Sequence, residues 1–301
     1  MPVCLLVTIF YLLIYKNNSL LHLMCSMKTR KFYFFFVAMC FLGISCHSNK
    51  RQMQEANTRL SQVQTLIQGH QLQQAKVALD SIHVLYPTLI EIRKKAVEME
   101  DHIKIAENTE KIGRLDSLIP KKELQLDSIR KLFVFEKDKR INTTGIYTHI
   151  SQLADRNTHR TYLKANVTER GELFLTAIYY GKGKLNFNSL QVKTGDLQLK
   201  ETIHENGADY THQSFEEDGY VREMVTFNRI AENGICQFIS ENKLQAINVI
   251  FQGKTAYNYR LTTADKNAIA NTYSLYNIVK DLVKMRQEKK NAEALLIKLK
   301  K

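Results

Sequence analysis

Five glycines, Gly171, Gly183, Gly195, Gly207 and Gly219, fall twelve residues apart, each beside polar turn formers such as Arg170, Lys182, Asp196, Asn206 and Asp218. Turns that recur at intervals of about 8 to 12 residues leave room only for short consecutive strands, which confines this stretch to antiparallel sheet. The surrounding composition agrees. From 141 to 262 there is no proline, nine of the twelve glycines occur, and tyrosine, phenylalanine and valine become frequent, as suits pleated, half-buried surfaces. Strands are predicted at 161–168, 173–180, 185–193, 197–204, 210–215, 220–228, 235–241, 246–251 and 255–261. Alternation in Leu173, Leu175 and Ala177, and again in Val221, Glu223 and Val225, predicts one buried face per strand. Eight or nine such strands are enough for an antiparallel β-sandwich or an open barrel.

Residues 47–140 are built differently, with two glycines, two prolines and apolar residues at helical spacing, so helix is predicted throughout. Leu60, Val63, Leu66 and Ile67, then Gln68-Gly69-His70, then Leu72, Ala75, Leu79, Ile82 and Pro87 predict two antiparallel helices joined by a glycine turn. The pair resembles one tetratricopeptide-type hairpin: Ala75 and Pro87 keep that family's separation of twelve, and Leu79 takes a large-residue position between them. The turn is one residue longer than the usual pattern and no second copy follows, which argues against a repeat array. Leu89, Ile92, Ala96, Met99, Ile103 and Ala106 then alternate spacings of three and four. After a slip of one residue the pattern resumes through Ile112, Leu115, Ile119, Leu126, Ile129 and Phe133. This is either a coiled-coil stalk, open to self-association through 89–133, or the core-facing stripe of a helical bundle. Pro120 lacks a backbone donor and biases Ile119 away from helical angles, which predicts a kink or a break there. At the other end, Thr262-Thr263-Ala264-Asp265 is a helix-start signal, followed by an apolar stripe of Ile269, Tyr273, Tyr276, Val279 and Val283. The expected fold class is α+β, with a helical bundle or stalk over 47–140, a β-domain over 141–262 and a C-terminal helix over 263–301 packed on the β-domain or the bundle.

Residues 1–46 are set apart from these. Met27-Lys28-Thr29-Arg30-Lys31 opens a charged segment, Phe32 to Leu42 is apolar, and Leu42-Gly43-Ile44-Ser45-Cys46 closes it with small residues before a cysteine. That is the charged, apolar and cleavable order of an export signal, and the apolar run is shorter than the about 20 residues a membrane span needs. Residues 27–46 resemble a bacterial lipoprotein signal peptide, with Leu42 or Gly43 through Ser45 in the lipobox. Gly43 and Ile44 reverse the commonest order of a large aliphatic residue followed by a small one. The resemblance implies that Cys46 receives lipid, palmitate included, and becomes residue one of the mature protein, with Met27 as the translation start. It further implies a cell-envelope membrane protein. By analogy with the sorting rule of such proteins, His47 after the cysteine points to the outer membrane, facing the periplasm.

Removing 1–46 takes away four basic and no acidic side chains, so the net charge falls from +13 to +9. The excess is spread along helical segments rather than gathered with groove-reading elements, so no nucleic-acid partner is expected. Beside the cysteine at position 46 only Cys236 would remain, in the apolar stretch Ile235 to Ile239, where a buried strand cysteine is the simplest reading. Ser128 with Lys131, and Lys193 with Thr194 and Gly195, match fragments of penicillin-recognising enzymes, but a Ser-x-Asn element is missing between them. His204, Glu205, Asp209 and His212 flank the Gly207 turn without a zinc-ligand spacing, and Glu216-Glu217-Asp218 lacks a calcium-loop pattern. No catalytic residue, metal site or cofactor is therefore expected, and the chain reads as a membrane-anchored interaction or scaffold module rather than an enzyme. The alternative is a carrier for a small lipid or glycan ligand in the β-domain, with Tyr179, Tyr180, Tyr257 and Tyr259 as amphipathic walls.

Overall fold

The computed structural model describes residues 49–137, 144–202, 210–227 and 232–300, so Cys46 and the export-signal segment lie outside the described residues. The chain divides into two compact units, one ending at Glu107 and the other beginning at Asn108. Three helices supply the first. Helix α1 covers 49–68, α2 is Leu72–Leu85, and α3, Ile90–Ile129, starts here and runs on into the second unit. In the turn after α1, Gly69 N–H donates to the Thr65 carbonyl and Gln71 N–H to the Leu66 carbonyl, both at 2.9 Å. The left-handed residue of this turn is His70, at φ 56°, rather than the glycine. Ala56, Leu60 and Val63 of α1, Leu72, Ala75, Leu79 and Ile82 of α2, and Ile92, Ala96 and Ile103 of α3 form one apolar core. The alternating stripe that begins at Leu89 is thus the core-facing side of a three-helix arrangement. The Lys76–Glu107 ion pair at 2.7 Å and the His83–Glu100 contact at 3.2 Å join α2 and α3 at the rim of this core.

The second unit holds ten strands among its described residues: β1 Phe133–Glu136, β2 Ile146–His149, β3 Tyr162–Thr168, β4 Leu173–Gly181, β5 Ser189–Thr194, β6 Leu197–Thr202, β7 Tyr210–Glu217, β8 Tyr220–Phe227, β9 Asn248–Gln252 and β10 Ala256–Arg260. They form two antiparallel sheets, ordered β1-β2-β3-β4-β8-β7 and β10-β9-β5-β6. Helices α4, Ile235–Glu241, and α5, Thr263–Leu299, complete it. The fold class is α+β, as expected. Leu163, Ala165, Leu175, Ala177, Val225 and Phe227 of the first sheet meet Leu190, Val192, Val249 and Phe251 of the second in one core, joined by Ile235 and Ile239 of α4 and by Ile269, Leu275 and Val279 of α5. Burying side chains of this size contributes about 1.5–3 kcal/mol each, which makes this core the chief source of the unit's stability.

Three expectations about elements are corrected. Helix does not extend to 140, because a 3-10 turn at Arg130–Leu132 ends it and Phe133–Glu136 joins the sheet. The segment 235–241 is a helix and not a strand: Ile235, Cys236 and Ile239 are buried at helical spacing, and the buried Glu232 carboxylate accepts from the Gly234 and Cys236 N–H groups at its start. Strand β5 begins at Ser189, not 185; the preceding Leu185 and Phe187 are core residues of an irregular run, with Phe187 stacked on Phe251 at 4.7 Å. Pro120 does not break α3. On either side of it α5 holds the helix by ion pairs, Lys289–Asp116 at 2.7 Å, Lys122–Asp281 at 2.8 Å and Arg286–Glu123 at 2.6 Å.

The C-terminal helix starts where its cap signal places it. Thr262 Oγ1 accepts from Asp265 N–H at 3.1 Å, and the Asp265 carboxylate is gripped by Arg160 at 2.8 and 2.7 Å. Ile269, Tyr276 and Val279 of the expected stripe are buried, together with Ala268, Leu275 and Leu282, while Val283 is exposed.

Candidate functional site

Register decides which side chains share a face, and the six-stranded sheet shows two contrasting ones. Leu163, Ala165 and Val167 oppose Ala177, Leu175 and Leu173 on the inner side, whereas Lys164 opposes Thr176 and Asn166 opposes Phe174 on the outer side. Thr148 opposes Asn166, and Thr226 opposes Thr176, so the outer side carries a band of hydroxyls across four strands. These hydroxyls are held in place by one another: Thr176 and Thr226 Oγ1 lie 2.9 Å apart, and Asn166 Nδ2 donates to Thr148 Oγ1 at 2.7 Å. They line a cleft of about 640 Å³ with Thr144, Thr168, Glu136, Glu172, Ile146 and Phe174, and every described residue in its wall comes from this sheet or its turns.

Lys164 is the cation in the described wall of this cleft. Desolvation lowers the pKa of its ammonium below the ordinary lysine value, and Glu136 on β1 opposes that shift. A lysine that is costly to keep charged, ringed by threonine hydroxyls, is equipped to bind a polar or anionic group that takes up its hydrogen bonds.

A second cleft, of about 530 Å³, opens at the other end of the same face, lined by His159, Tyr180, Phe215, Tyr220, Arg222 and Met224, with Glu217 and Asp218 at the β7–β8 turn. The Tyr180 and Tyr220 rings are stacked, 5.2 Å apart and 4° from parallel, and His159 Nδ1 is 3.0 Å from the Tyr180 hydroxyl. Arg222 donates to the Asn157 carbonyl at 3.2 Å and to the Thr158 carbonyl, which ties the β2–β3 connection to the sheet end.

The structure separates the four tyrosines expected as ligand walls. Tyr179, Tyr257 and Tyr259 belong to the core or pack against it, with Tyr179 edge-on to Tyr257 at 5.1 Å, and Tyr180 alone of the four faces outward. Burial pushes the Tyr259 hydroxyl well above the ordinary tyrosine value. Cys236 is buried, and burial together with Glu232 pushes its thiol up, so it stays protonated and unreactive. Ser128 donates to the Leu124 carbonyl of α3 at 2.9 Å, and Thr194 donates to Gln245 Oε1 at 3.0 Å on β5, so both hydroxyls serve local structure. His204, Glu205 and Asp209 lie outside the described residues; His212 Nε2 stands 3.9 Å from Glu223 Oε2. Among the described residues no three His, Cys, Asp or Glu side chains converge as a metal site would require, and no helix is long and apolar enough to cross a membrane.

Glu223 escaped the sequence reading except as a member of an alternating strand. It is fully buried on the inner face of β8, and its Oε1 accepts from Leu185 N–H at 2.5 Å and Asn186 N–H at 3.0 Å. The carboxylate thereby holds the irregular run that precedes β5. The hydroxyl band was also missed, because its threonines are scattered from Thr144 to Thr226 and only strand pairing gathers them. No family model matches the chain, and no curated protein is significantly similar to it.

Proposed function

We propose that this protein is a cell-envelope lipoprotein, held at the outer membrane by lipid on Cys46, that works as an interaction module through the outer face of its six-stranded sheet. The observation that carries the second half is the threonine-lined cleft around Lys164, a face rich in donors and acceptors that its own chain leaves open in the described residues. The anchor rests on the order of residues 27–46. Burial of an acyl chain contributes about 0.8 kcal/mol per methylene, and two or more chains give stable attachment. Labelled palmitate should enter the native protein and not a Cys46→Ala variant; equal labelling would refute the anchor. For the surface, a photo-crosslinking residue at Thr176 should trap a partner in intact cells, and the same residue at Val77, an exposed position on α2, should not.

A carrier function is the second reading, favoured by the stacked Tyr180–Tyr220 pair beside His159 in the smaller cleft. Native mass spectrometry of the intact chain should then show a bound glycan or lipid fragment that is lost in Tyr180→Ala.

A further inference from the structure

Strand β7 lies at one end of the six-stranded sheet and among the described residues is paired only with β8, in an unbroken register from Tyr210↔Phe227 to Glu217↔Tyr220. Every residue from Thr211 to Glu217 is exposed, on both faces. A free strand edge is a template for another strand, and proteins usually blunt it with shortness, charged side chains (lysine above all), proline or a bulge. The other three edge strands are shorter: β1 has four residues, β6 six and β10 five. By contrast, β7 has eight residues, Tyr-Thr-His-Gln-Ser-Phe-Glu-Glu, in an unbroken register without lysine, proline or a bulge, and its acidic side chains, Glu216 and Glu217, are confined to one end.

The β7–β8 turn fixes which backbone groups face outward. Asp218 and Gly219 form a two-residue turn with φ 51° and 77°, the hairpin geometry in which the flanking pair, here Glu217 and Tyr220, exchanges both hydrogen bonds. Bonded and non-bonded pairs alternate along an antiparallel ladder. Phe215 and Gln213 therefore bond to β8, while His212, Ser214 and Glu216 turn their N–H and C=O groups to the open edge.

We propose that this edge pairs with β7 of a second copy of the chain, antiparallel and two-fold symmetric about Ser214. In that register Ser214 meets its own counterpart in a bonded pair, and His212 of each copy stands opposite Glu216 of the other. Both belong to the same sheet face, where directly opposite side chains lie about 5 Å apart and an imidazole N–H can donate to a carboxylate oxygen. Phe215 meets Gln213, and Glu217 meets Thr211, so no two acidic groups face each other. The interface is isologous, each contact occurring twice. It joins two six-stranded sheets edge to edge and leaves both outer-face clefts on one side of the combined sheet.

The test uses the full chain in detergent with a mild oxidant. Ser214→Cys should give a disulfide-linked dimer, because Cα atoms of a bonded antiparallel pair lie about 5.5 Å apart, within disulfide reach. Gln213→Cys should give at least about tenfold less dimer, since its diagonal counterpart stands about 7–8 Å away. Adding Thr211→Glu, which faces Glu217 of the other copy, to Ser214→Cys should lower the crosslinked dimer at least about tenfold, and adding Glu217→Lys as well should restore it. The second change turns a repulsive cross-copy pair into an attractive one, and a fold defect would not be rescued by it. Equal yields at 213 and 214, failure of the second change to restore pairing, or a monomer on sedimentation at about 100 μM, where an interface with a Kd tighter than about 10 μM would be mostly formed, would each overturn the proposal. A disulfide adduct of the Ser214→Cys variant formed only with a different protein would overturn it as well and assign the edge to that protein.

Discussion

His149 closes β2 and shows how a half-buried side chain sets a pH response. Its ring meets Phe133 edge-on at 5.2 Å, its Nδ1 accepts from Ser151 N–H at 3.3 Å, and its Nε2 lies 3.3 Å from Asn271 of α5. Burial disfavours the charged ring and lowers its pKa below the ordinary 6.5. Above that value the ring is neutral in both folded and unfolded chains and contributes no pH dependence. As pH falls below it, the unfolded chain takes up the proton first, so stability is lost until the folded ring protonates too. Urea unfolding at pH 7.5 and 5.5 should show a larger acid loss for the native protein than for His149→Asn, whose amide oxygen keeps the Ser151 contact. An equal loss would place the acid sensitivity elsewhere. Glu223 illustrates a different residue-scale lesson: the Val221-Glu223-Val225 alternation places a carboxylate among buried positions, yet its partners, the Leu185 and Asn186 N–H groups, are more than 35 residues away in sequence.

Helix α3 crosses Pro120 in spite of a local penalty, with tertiary contacts on both sides of it. Proline in a helix interior costs about 3 kcal/mol against alanine, and three ion pairs to α5 flank the site. Pro120 is exposed, so Pro120→Ala removes no core contact and restores the missing donor to the Asp116 carbonyl. It should stabilise the second unit by about 1–3 kcal/mol, read as a higher urea midpoint in tyrosine fluorescence; an unchanged midpoint would mean the helix bends to relieve the ring. The same balance explains which elements could be read from sequence. Gly171, Gly195 and Gly219 are hairpin turns at positive φ, as their spacing predicts. Gly183 instead starts the run that leaves one sheet for the other, a switch that an even period conceals. Strands β1 and β2 are four residues each, too short for alternation to register. Helix α4 has strand-like composition, and only the 235, 236, 239 burial spacing, which needs the fold, marks it as a helix.

At the scale of the whole molecule, the described residues form two apolar cores that share no residue, one built from α1, α2 and the first half of α3, the other from both sheets with α4 and α5. The helical core was legible because its stripes recur at a single period. The hydroxyl-lined face was not, since a threonine on a strand reads only as polar until register shows which five threonines converge. Separate cores make a thermodynamic claim, because substitutions without shared partners usually add to within about 0.3–0.5 kcal/mol. The tyrosines give a natural reporter: ten of the fourteen lie beyond Asn108, only Tyr86 falls within 49–107, and there is no tryptophan. Leu79 is 1% exposed in the helical core, and Leu79→Ala should cost about 2–5 kcal/mol there through lost burial and the cavity left behind. Far-ultraviolet circular dichroism should then show an early helical transition at lower urea, while tyrosine fluorescence keeps its native midpoint. If both signals move together by the same amount, the continuous helix α3 couples the units into one cooperative system. If only the first moves, each core is stabilised by its own burial, and the outer face of the six-stranded sheet is insulated from damage to the helical unit.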